Sequence, residues 1–247
     1  MRTLPQVMLN PMAASGILSS TNLYTEIAMR RLSTVLISTT LALGLPLMAA
    51  AHDDDIDKIN GTARVEAGQH AGDVSSVNGS VEIGDNAVVQ KASTVNGSVD
   101  LGTHAQASEV GTVNGAITLG ASTHVRGEVN AVNGHIQLGQ NADVGGKLDN
   151  VNGAIELDAA HVAGGIETVS GDITVGANSR VEGGILVDKP SGWFHSNSRN
   201  PVIVIGPHAV VQGTLEFRRE VELKVSDSAQ IGPVKGATPV KFSGATP

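Results

Sequence analysis

VNGSVDLGTHAQASEVGTVNGAITL, residues 95–119, is the stretch on which the fold turns. It contains the pattern V-N-G-[SA]-[VI] twice, and the two copies lie 18 residues apart. Outward from it, Asn-Gly recurs at Asn60, Asn78, Asn96, Asn114, Asn133 and Asn152, with Ser170-Gly171 in the seventh place. The spacings are 18, 18, 18, 19, 19 and 18 residues. An isolated Asn-Gly pair marks a hairpin turn, but a fixed period of roughly 20 residues marks a solenoid. Leu-x-x-Leu signatures are too few for leucine-rich repeats, and no segment has the apolar period of a helical repeat.

Each period divides into three hexads; residues 77–94 read VNGSVE, IGDNAV, VQKAST. Position one of the first hexad is aliphatic: Ile59, Val77, Val95, Val113, Val132, Val151, Val169. Position five is Ala63, Val81, Val99, Ile117, Ile136, Ile155, Ile173. The second hexad opens with Val65, Ile83, Leu101, Leu119, Leu138, Leu157, Val175 and carries small residues at position five, among them Ala87, Ala105, Thr123, Ala142 and Ser179. Alternation within each hexad means a short strand with one face inward. The expected fold is therefore all-β: a three-sided, single-stranded parallel β-helix of about 18 residues per coil, with rungs ~4.8 Å apart. Seven regular coils are expected over about 59–186. The extra residue of each 19-residue coil is expected at the end of the third hexad, near Ala131 and Asn150. The Asn column reads as a structural corner, since Asn tolerates left-handed backbone angles and bonds to the Asn above it. The adjoining Gly lets neighbouring chains approach closely.

The second hexad, [LIV]-G-x-x-[small]-x, resembles the left-handed hexapeptide helix of acyltransferases. A second pattern, V-x-G-x-[VIL], occurs at Val125-Gly127-Val129, Val144-Gly146-Leu148, Val181-Gly183-Ile185 and Val211-Gly213-Leu215. This pattern, with residues 202–217 (VIVIGPHAVVQGTLEF), is similar to the bactofilins, a polymer-forming β-helix family. The resemblance covers most of residues 58–236, favours a right-handed over a left-handed helix, and implies self-association, end to end or side by side. Bactofilins are typically cytoplasmic and membrane-apposed; this chain departs from them at its leader.

Met29-Arg30-Arg31, a mostly apolar run over 32–48 and Ala49-Ala50-Ala51 before His52 have the layout of a secretory signal peptide. Residues 1–28 then read as an upstream extension, 29–51 as the signal, and 52–236 as an exported solenoid, periplasmic or secreted. The alternative is a leader left uncleaved as a membrane anchor. The rhythm breaks at a polar loop, 188–201, which holds Trp193 and Phe194, residues suited to packing or to a partner surface. Strands resume over 202–236, where 217–225 alternates like an exposed edge strand. Residues 237–247 read as a flexible tail.

The 247 residues carry a formal net charge of −8, no Cys and five aromatic residues. That acidity argues against nucleic acid as a partner, and the absence of Cys excludes disulfides and thiolate metal sites. His104 and His208 share one hexad position and His161 falls in an inward-type slot; His104 has no evident partner column. His52-Asp53-Asp54-Asp55 reads as a solvated acidic end. Glu82 and Asp100 stack one coil apart, with Thr118 and Gln137 before Glu156. No P-loop, GxSxG or HExxH occurs. No catalytic, cofactor or metal residue is assigned. The expectation is a non-enzymatic envelope scaffold whose partners are its own copies and other envelope components. A hexapeptide-repeat acyltransferase and a surface carbohydrate-binding or adhesin β-helix are the alternatives.

Overall fold

Alternating aliphatic residues cannot bury themselves within one short strand, and here each strand is covered by its counterparts in neighbouring coils. The computed structural model describes residues 54–190 and 199–247. The leader over 1–51, His52 and Asp53, and Trp193 and Phe194 lie outside them. Among the described residues there is no helix, and so none long and apolar enough to cross a membrane. Every strand pairing is parallel, and the chain is the three-sided β-solenoid that the repeat predicts.

The first face has ten rungs, from Ala63–Val65 through Ile117–Leu119, Ile136–Leu138 and Ile155–Leu157 to Val240–Phe242. Its inward positions stack in register, Ile117 on Ile136 on Ile155 and Leu119 on Leu138 on Leu157, all at most 3% exposed. The second face consists of short strands such as His124–Val125 and Asp143–Val144, and the third of strands such as Val129–Asn133 and Leu148–Asn152. In the first two complete coils these two faces are joined as unbroken nine-residue strands, His70–Asn78 and Val88–Asn96.

The 19-residue coils grow at a different corner from the one expected. Val125 and Val129 enclose Arg126, Gly127 and Glu128, whereas their partners Ala107 and Val110 enclose only Ser108 and Glu109. The extra residue therefore enters between the second and third faces, and Ala131 and Asn150 stay in register with Thr112. The V-x-G-x-[VIL] pattern marks this corner. A Cβ on Gly146 would lie 2.5 Å from the carbonyl of Gly127, so the position is closed to larger residues.

Three further expectations are corrected. The aliphatics at position one of the first hexad are not core. Ile59 is 74% exposed, and Val77, Val95, Val113, Val132, Val151 and Val169 are half-buried. The residue before each of the six valines points inward instead: Ser76, Thr94, Thr112, Ala131, Asn150, Thr168. These are mostly polar because the corner beside them presents a carbonyl that needs a donor. The hydroxyls of Ser76, Thr94 and Thr112 donate to the carbonyls of Gly61, Gly79 and Gly97 at 3.0, 2.7 and 3.1 Å. Residues 217–225 do not form one exposed edge strand. They divide between Leu215–Phe217 on the third face and Glu222–Ser226 on the first, and the latter is paired on both sides. The segment read as a tail contributes the last rung, Val240–Phe242, paired with Lys224–Ser226.

Ala131 breaks the hydroxyl column and leaves Gly115 without the donor that Thr112 gives Gly97. Asn150, one rung on, reaches the carbonyls of Gly134 and Gly153 at 2.9 and 3.0 Å, while its Oδ1 is buried without a partner. Replacing Ala131 with Thr should restore the missing bond and raise stability by about 0.5–1.5 kcal/mol. A lowered urea midpoint would show that the column has no room for the added side chain.

Candidate functional site

The outward side chains form ladders, because each rung repeats the address of the one before. The longest runs along the corner between the third and first faces. Asn78 donates its amide to Oδ1 of Asn60 at 3.4 Å. Asn96 donates to Asn78, Asn114 to Asn96, Asn133 to Asn114 and Asn152 to Asn133, at 3.0–3.1 Å. All six are exposed. Beneath them the glycines stack almost backbone on backbone: a Cβ on Gly79, Gly97, Gly115, Gly134 or Gly153 would lie 1.7–2.3 Å from the previous glycine's carbonyl oxygen.

The left-handed backbone expected of this Asn column occurs at another corner, after most first-face strands. Asn86, His104, Ser122, Asn141, Asn178 and His208 adopt φ of 56–60° there. Asn and His are among the non-glycine residues that most readily take this conformation, so His104 and His208 serve the turn. Outward on the first face, Glu82 and Asp100 are neighbours, then Thr118, Gln137 and Glu156 follow, as the repeat arithmetic requires. Arg64 pairs with Glu82 at the start of that column.

His161 does not point inward. It projects from the second face beside the buried Val162, in the register His124, Asp143, His161, Arg180. Asp143 lies between two imidazoles, with His124 Nδ1 at 2.6 Å from one carboxylate oxygen and His161 Nδ1 at 2.5 Å from the other. His161 Nε2 lies 3.4 Å from Glu182, which Arg180 also pairs at 3.3 Å. Hydrogen bonds from Arg180, then His161, hold the Glu182 carboxyl below its ordinary range. Sequence reasoning missed this ladder, although its signal was present: His124, Asp143 and His161 are spaced by 19 and 18 residues, one period each. Among the described residues no group of three or more His, Asp or Glu is arranged to hold a metal ion.

Two other clusters carry charge. Near the start of the solenoid, burial raises the Asp73 carboxyl; Asp55 adds to this, Lys91 opposes it, and Asp57 and Glu109 add further. Asp73, Lys91, Glu109 and Arg126 line an open groove over the second and third faces. Past the polar loop, Arg199 clamps Asp172 through two nitrogens, at 3.0 and 2.5 Å, and the Val202 N–H donates to the same carboxylate at 2.9 Å. Burial pushes the Asp172 carboxyl up, but the Arg199 and Val202 bonds outweigh it and hold the group below its ordinary 3.8. A carboxyl lowered in the folded chain stabilises it above that ordinary value, and the contribution is lost as pH falls through the lower folded value. Arg199→Ala should therefore lower the urea midpoint near neutral pH, with the difference from the parent closing in strong acid. A difference that persists there would assign the Arg199 effect to packing.

Together these features define the class: a three-sided parallel β-solenoid protein whose corners carry an amide ladder and whose walls carry paired charges. No family model, curated protein or solved structure matches the chain.

Proposed function

We propose that the chain is an exported, non-enzymatic structural solenoid that self-associates in the cell envelope, in the manner that the bactofilin resemblance implies, with a right-handed coil. The observation that carries this reading is the state of its last coil. Gln230–Ile231, Val234–Lys235 and Val240–Phe242 each pair with one neighbour only among the described residues, and Val240 is 60% exposed. A coil in that position presents unpaired backbone groups at the same spacing as every rung below it, which is a template for another β-coil. The amide and charge ladders support the reading too, since they stiffen the walls along their length. Residues 29–51 direct export, and other envelope components bind along the walls.

Sedimentation of the purified chain tests the assembly. Oligomers that grow with concentration are expected, and Val240→Lys should weaken them by placing a charge on the terminal rung. Strict monomers at every concentration would end the proposal. N-terminal sequencing of protein from the cell envelope tests export, with His52 the expected first residue.

A further inference from the structure

The six Asn-Gly pairs share one reactive chemistry, because a side-chain amide followed by glycine can cyclise onto the next backbone nitrogen. Two kinds of bond in the solenoid oppose that reaction. In five pairs the glycine N–H is held by the next coil: Gly61 donates to Asn78 O, Gly79 to Asn96 O, Gly97 to Asn114 O, Gly115 to Asn133 O and Gly134 to Asn152 O, at 2.9–3.0 Å. The Asn side chains of those five each accept the next Asn amide at Oδ1.

The sixth pair has neither restraint. At the following coil the third-face pairing ends at Asn150 on Thr168, and Ser170 turns its N–H back to Val151 O. The Gly153 N–H has no protein partner among the described residues, and Asn152 Oδ1 accepts no bond there. Asn152 is exposed, and Gly153 has φ of 122°, outside the usual range of L-residues.

We propose that Asn152-Gly153 is a built-in site of spontaneous deamidation, while the ladder protects the other five pairs. The Gly153 nitrogen gives up its proton and attacks Cγ of Asn152. The N–Cγ bond forms, the Cγ–Nδ2 bond breaks, and ammonia leaves. Water then opens the cyclic imide at one carbonyl or the other, leaving Asp or isoaspartate. Either product removes the amide that Asn152 donates to Asn133, so the ladder loses its last rung. Isoaspartate also lengthens the main chain beside Asn150, whose amide holds both flanking corner carbonyls.

The sequence contains its own control. Asn114 and Asn152 both lie in Val-Asn-Gly-Ala, so their local chemistry is the same and only the fold distinguishes them. The purified full chain is incubated folded in mildly alkaline buffer and, in parallel, in concentrated urea. Peptide masses and isoaspartate labelling then give the rate at each Asn. In the folded chain Asn152 should deamidate about tenfold faster than Asn114, the factor that one hydrogen bond of ordinary net strength supplies. In urea the two rates should converge. Asn114 keeping pace with Asn152 in the folded chain would overturn the proposal, and so would an Asn152 preference that persists undiminished in urea.

Discussion

Gly134→Ala should disrupt the middle of the solenoid, at a cost of about 3 kcal/mol or more. The added Cβ would sit 1.7 Å from the carbonyl oxygen of Gly115 and 2.5 Å from its carbon. Both sides of that contact are backbone, so no rotamer change relieves it. Relief requires the two coils to part, and their separation is set by the aliphatic columns on every face. Gly111→Ala is the matched control. The nearest atom to its Cβ is Asn130 O at 3.8 Å, an ordinary contact, and its effect should stay below about 1 kcal/mol. Thermal or urea unfolding of the two variants reads the difference. Equal tolerance of both would show that the corner is looser than its stacked carbonyls indicate.

Ile136→Asp should be comparably severe, about 4 kcal/mol or more. Ile136 is fully buried between Ile117 and Ile155, in a column aliphatic above and below. A carboxylate there has no cation to meet, and the protonated form still buries an unpaired acid. Because coil stability depends on contacts with neighbouring coils, the damage should spread along the stack on both sides. Gln137→Lys, one residue on, tests the direction of the side chains. Gln137 faces outward beside Glu156, so this change should fall within about 0.5 kcal/mol of the parent. Amide exchange around residues 117–157 is the measurement, and a fully protected Ile136→Asp chain would mean that the inward column has been misassigned.

The two first-face columns were legible in the sequence because Ile136 and Leu138, like their counterparts, alternate with polar neighbours over coil after coil. The third hydrophobic column was misleading for a physical reason. Val77 and Val95 look like core, yet the buried positions belong to Ser76 and Thr94, whose hydroxyls meet corner carbonyls. Hydrophobic patterning does not detect an inward polar residue of this kind. The His124, Asp143 and His161 ladder was lost to register. Leu157 and His161 enclose three residues where Leu138 and Asp143 enclose four, and this shorter corner moves His161 from the inward-type slot into the outward column of Asp143. Left-handed corners were foreseen for Asn60 and its column but occur at Asn86 and His104. Asn-Gly is a strong turn signal that here serves close stacking instead.

The central claim is that successive coils lie parallel and in register, one period apart, and paired cysteines test it most directly because the chain has none of its own. Gln137→Cys with Glu156→Cys places two outward thiols on adjacent rungs, within the ~4.4–6.8 Å Cα separation that a disulfide spans. Gln137→Cys with Thr174→Cys places them two rungs apart, at ~9–10 Å. Mild oxidation should cross-link the first pair and leave the second reduced. Cross-linking of the second pair within single chains, or none of the first, would contradict the stacked-coil account.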